Sequence, residues 1–119
     1  MPTVSPSVSE ALITLCDVQR GILIQDESGA TQYEFANPTI ISSQVPFSIQ
    51  SAKPEDIDMF EQRGVKISHK AYSSTNPQAL IGDRIVDNRF TPPHYLIVQS
   101  VEDMGGMGMM WGVFCWMQQ

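Results

Sequence analysis

The sequence predicts a mainly β fold, a small barrel or sandwich of about seven short antiparallel strands with one short α-helix over about 54–63. Two observations predict it. Most apolar residues sit in short runs of period two, separated by Gly, Pro, Asn and Ser clusters, the signature of strands and turns. One segment alone changes to a helical period, opening on Pro54 and closing on Gly64. At 119 residues the chain supports a single modest core. The expected organisation is an arm over 1–9 followed by one β-barrel domain over 10–119.

The arm alternates Pro, Ser and Val without a core-forming pattern, so any order in it would come from a neighbour. Residues 11–16 suit either a strand or a short helix capped by Ser9, with the strand favoured by Ile13 and Thr14. A clearer strand follows at 21–25, and 26–29 reads as the turn after it. The alternation over 31–36 pairs back as a hairpin until Asn37-Pro38 breaks it. Ile40 and Ile41 fit a short edge. At 45–50, Val45, Phe47 and Ile49 share a face, and Pro46 confines that strand to an edge or its own start, because proline donates nothing to a ladder.

The helix has Pro at its first position, with Glu55, Asp56 and Asp58 in its first turns, where carboxylates oppose the helix dipole. Gly64 supplies the left-handed stop. Too short to hold alone, it must be pinned to the sheet through Phe60. A strand follows over 65–72, a loop over 73–77, a turn into a strand over 80–87, and a Pro-Pro loop over 88–93.

The chain then ends in a long hairpin. Its first run covers 95–101, its loop carries Gly105, Gly106 and Gly108, and its second run covers 109–117. Alternation puts Met109, Trp111, Val113, Cys115 and Met117 on one face of the second run, and Met110, Gly112, Phe114 and Trp116 on the other. A strand apolar on both sides is either central in a two-layer fold or docks one face on another subunit. The second reading makes Met110, Phe114 and Trp116 interface residues, joined by Met104 and Met107 of the adaptable loop and by Glu102 and Asp103 on its shoulder as rim contacts.

A net charge of −6 with only seven basic residues, unclustered in sequence, argues against nucleic acid as a bound partner. Cys16 and Cys115 read as free thiols, Cys115 buried among aromatics. The N-terminal residues lack a signal-peptide pattern, and no run approaches a membrane span; a reducing, soluble environment and no membrane partner are expected. No phosphate cradle, nucleophile elbow or paired-cysteine motif occurs. His69 and His94, even with Asp83 or Asp87, have no spacing that demands a metal, so no catalytic, cofactor or metal residues are expected.

From Phe47 onward the order of pieces has a counterpart. Phe47-Ser48-Ile49-Gln50-Ser51-Ala52 leads into a short helix closed by Gly64. Val65-Lys66-Ile67-Ser68 follows, then the turn Ile81-Gly82-Asp83-Arg84-Ile85, then the strand from Tyr95 to Asp103 and a Gly-rich return to Met117. Over about 70 residues this resembles the small head–tail connector proteins of tailed bacteriophages, of the head-closure, stopper or head-completion type. The chain departs from that pattern at Met104, where an aromatic is usual, and its first 45 residues have no counterpart there. The resemblance implies a β-barrel in a homo-oligomeric ring of the virion neck, assembled in the host cytoplasm. Such a ring meets the portal or adaptor above and tail proteins below, and closes the DNA exit channel while DNA passes without specific binding. It implies no cofactor and no catalytic residue. A tail-completion or tail-terminator subunit is the neighbouring expectation, and a small-barrel binding module with Trp111 or Trp116 in a groove is a third.

Overall fold

The computed structural model describes residues 13–25 and 27–118. The expected arm over 1–9 lies outside the described residues. The fold is mainly β, as the alternation predicts, with six strands among the described residues in place of about seven. They are β1 (Ile13–Gln25), β2 (Thr31–Ser51), β3 (His69–Ser73), β4 (Arg84–Asp87), β5 (His94–Asp103) and β6 (Trp111–Gln118), with helix α1 (Pro54–Glu61) between β2 and β3. All pairings are antiparallel, and the order β1-β2-β3-β6-β5-β4 closes on itself as a barrel.

The missing strand is explained by fusion. Residues 13–25 form one strand where two were expected, and 31–36, 39–41 and 45–50 are parts of a single 21-residue strand. The predicted break at Asn37-Pro38 survives as a register jump. Arg20 lies opposite Thr39, but Ile22 lies opposite Glu34, so Phe35 to Pro38 bulge out of the ladder. A second irregularity falls between Cys16 and Val18, beside Gln44 at φ 56°, whose N–H donates to Asp17 Oδ1 at 3.1 Å. Pro46 lies on β2 before its pairing with β3 begins at Ser48, a position with β1 on one side only.

The barrel interior holds Cys16, Val18, Val45, Phe47, Ala71, Ile85, Leu96, Val98, Val113 and Cys115. A second, smaller core lies outside it, where Phe60, Ile67 and Phe114 come together with Ala52, Ile57 and Val65. This is how α1 is pinned. The helix ends as expected: Gly64 takes φ 76°, its N–H donates to Glu61 O, and Val65 N–H donates to Phe60 O, each at 2.9 Å. The strand predicted from 65 begins at His69, because Val65 and Ile67 are drawn under the helix.

Two buried carboxylates brace the barrel. Asp83 accepts from Arg20 through both oxygens, at 2.9 and 3.0 Å, and its Oδ2 also accepts Leu80 N–H at 2.8 Å, which folds the turn into β4. Asp87 accepts Arg89 Nε and Nη2 and the Arg89 backbone N–H.

Candidate assembly surface

Antiparallel alternation sorts the connections between the two ends of the barrel. One end carries the β1–β2 turn, the 74–83 connection and the 104–110 loop. The other carries α1, the 88–93 loop and the last residues of β6. β1 meets β4 only at 17–19, and β2 meets β3 only at 48–51. Beyond those contacts β1 and β2 continue together as a two-stranded ribbon, which gives the molecule an elongated form of 61 × 32 × 30 Å.

The ribbon is fixed at its base. Phe35 and Tyr95 rings flank the Arg84 guanidinium, with its carbon 4.3 and 4.2 Å from their centroids, and Arg84 Nε and Nη2 both donate to Gln19 Oε1. Further out it is solvent-facing, with Ile22 53% and Leu23 59% exposed. Leu80, Ile81, Met107 and Met109 are exposed at the same end. Glu27, Glu34, Glu102 and Asp103 add acidic character there.

The seven residues expected at an interface do not form one patch. Phe114 is corrected outright: it is 2% exposed, its ring 4.7 Å from that of Phe60 and tilted by 47°, so its face is covered from within the chain. Sequence alternation placed Phe114 and Trp116 together, but α1 covers only the first. Trp116 remains 40% exposed, with Lys66 Nζ 5.9 Å from its ring. Met104 folds back over β6, its sulfur 3.1 Å from where a Cβ on Gly112 would stand. Asp103 accepts Gly108 N–H at 3.0 Å and so shapes the loop it was expected to rim. Glu102, near the end of β5, and Met107, on that loop, are exposed. Met110 lines a shallow groove with Ile13, Pro46 and Tyr72.

At the helix end, Phe90, Pro92, Pro93, His94, Tyr95 and Met117 line an open, largely apolar groove of about 680 Å³. The Phe90 and His94 rings stack at 3.8 Å, and His94 Nδ1 is buried without a hydrogen-bond partner. Burial depresses the His69 pKa, the nearby His94 adds to that, and Asp87 opposes it. Burial would raise the Asp87 carboxyl, yet the hydrogen bonds and charge of Arg89, helped by His94, hold it below its ordinary value. Among the described residues no group of three or more His, Cys, Asp or Glu could hold a metal ion. Both cysteines are free and buried. Burial and the Asp87 carboxylate push the Cys16 thiol up to about 12, and burial alone raises Cys115 further, so neither is an activated nucleophile.

No helix among the described residues is long and apolar enough to cross a membrane. The sequence matches no protein-family model and no curated protein.

The hairpin of 21–25 with 31–36 was expected and forms, but its projection beyond the barrel was not, although a signal for it existed. Ile22-Leu23-Ile24 is apolar on both faces of a strand, the same property that drew attention to 109–117.

Proposed function

We propose that this chain is a structural subunit of the bacteriophage head–tail connector, at the stopper or head-completion position. It assembles as a ring that closes the DNA exit channel below the portal or adaptor and offers the tail a docking surface. The reading assigns no catalytic residue. The observation that carries it is a closed barrel whose opposite ends both expose apolar surface, a projecting ribbon at one and a groove at the other. Exposed apolar groups in such concentration mark protein contacts, and a subunit stacked between two different neighbours needs one at each end. The negative charge fits a channel element that lets DNA slide past instead of holding it. The order of elements from Phe47 to Met117, which resembles the connector proteins, supports the same assignment.

The test is native mass spectrometry and size exclusion of the pure chain, then of its mixture with portal–adaptor complexes and with tails. A closed oligomer, or oligomerisation on the connector, is the expected result. A chain that stays monomeric and joins neither refutes the proposal.

A further inference from the structure

Among the described residues no third strand pairs with either edge of the distal ribbon. Along 22–25 and 31–34 the described strands pair only with each other. In an antiparallel pair every second residue turns its N–H and C=O away from its partner. Such a row of outward groups is a template for a further strand, and proteins protect exposed edges with Lys, Pro, bulges or a covering element. Here the sequence of 21–25 and 31–34 has no Lys and no Pro; Pro38 and the register jump lie below, at the ribbon's base. An isolated hairpin is marginal in water, and this one holds Ile22 and Leu23 in solvent on opposite faces.

We infer that the ribbon's partner is the ribbon of a second copy of this chain, paired edge to edge. This rests on the ring reading proposed above and specifies how the ring is knit. In a ring all ribbons point the same way, because rotation about one axis relates them. The β2 edge of one copy then faces the β1 edge of the next, and those two strands run in opposite directions. Each copy offers one edge and accepts one, a heterologous contact that leaves no strand unpaired when the ring closes. The product is an antiparallel cylinder of ribbons standing on the ring of barrels. A second copy is the fitting occupant because the two complementary edges, equal in length and opposite in direction, already lie on one chain. Alternation places Ile22 and Ile24 on one surface of that cylinder and Leu23 on the other, where each gains cross-strand neighbours from the adjoining copy.

The test compares hydrogen exchange at the amides of 21–25 and 31–34 in the assembled full-length protein and in dilute monomer. Pairing predicts exchange slowed by roughly a hundredfold on assembly at alternate residues of both strands. The double variant Ile22→Lys/Leu23→Lys, which charges the exposed ribbon and leaves the barrel core untouched, should keep the monomer's melting temperature and lose the oligomer. Wild-type oligomers whose ribbon amides exchange as fast as in the monomer overturn the inference, as does a double variant that assembles like wild type. Either result leaves the ring reading standing. A wild-type chain that never oligomerises refutes the ring reading and this inference with it.

Discussion

Phe114→Ala and Trp116→Ser, two residues apart on the same outward face of β6, should give opposite results. Phe114 is 2% exposed and lies against Phe60, whereas Trp116 is 40% exposed. A buried aromatic removes about 200 Å² from water, worth about 5 kcal/mol at about 25 cal/mol per Å². Relaxation of the site brings the expected cost of Phe114→Ala to about 3–5 kcal/mol. The loss should concentrate on α1. Its eight residues cannot hold as a helix alone, and its one buried side chain, Phe60, packs on the deleted ring. Urea unfolding followed by far-ultraviolet circular dichroism checks both quantities. The variant should show a lowered midpoint and a weakened helical signal while the β signal persists. Trp116→Ser should cost about 1–2 kcal/mol in the monomer, less than Phe114→Ala because its ring is 40% exposed, and should act on assembly. A Phe114→Ala cost below about 1 kcal/mol, or outright unfolding by Trp116→Ser, would refute the division of this face into a covered and an open part.

Arg89→Ala should destabilise the fold by about 2 kcal/mol at neutral pH, below the cost of breaking a fully buried pair, because Arg89 is 40% exposed while Asp87 is 2% exposed. The pH dependence has a definite sign. Asp87 is held below its ordinary pKa, so the stability it contributes is present above pH ~4 and is lost as pH falls through the lowered value. His69 is likewise held low, so the unfolded chain takes up its proton first and stability also declines as pH falls below ~6.5. Thermal melts from pH 8 to pH 3 should therefore show the Arg89→Ala deficit shrinking in the carboxylate range, where protonation relieves the uncompensated Asp87; a deficit that grows there contradicts the pairing. Cys16 and Cys115 should both resist a thiol reagent at pH 8 in the native protein and react stoichiometrically in denaturant, and fast native labelling of either would contradict its burial.

What could be read from sequence was what is decided locally. The alternation of Val45, Phe47 and Ile49, of Leu96 and Val98, and of Val113 and Cys115 names the barrel interior, since period two is a property of the strand itself. The Pro54 start and Gly64 stop are equally local. The parts that were missed depend on partners far along the chain. Asn37-Pro38 carries the chemistry of a strand break, but β1 runs alongside and keeps β2 continuous through a bulge. The turn Gly82-Asp83-Arg84 is visible in sequence; that Asp83 is buried against Arg20, 63 residues earlier, is not. Phe60 was expected to pin the helix to the sheet, yet nothing local states which face of which strand receives it.

The place where Phe60 docks decides which apolar surface is left open. A strand apolar on both sides needs cover on both sides, and β6 obtains it from the barrel core on one face and from α1 on much of the other. The demand for a second subunit therefore weakens on β6 at Phe114 and persists at Trp116. It moves to the ribbon, which has apolar side chains in solvent and no second layer among the described residues. The helix occupies the opposite end of the barrel and cannot reach it. On the ring reading proposed above, the length that β1 and β2 add beyond the barrel is where the next copy's strand would pair, since the described residues give it no further strand.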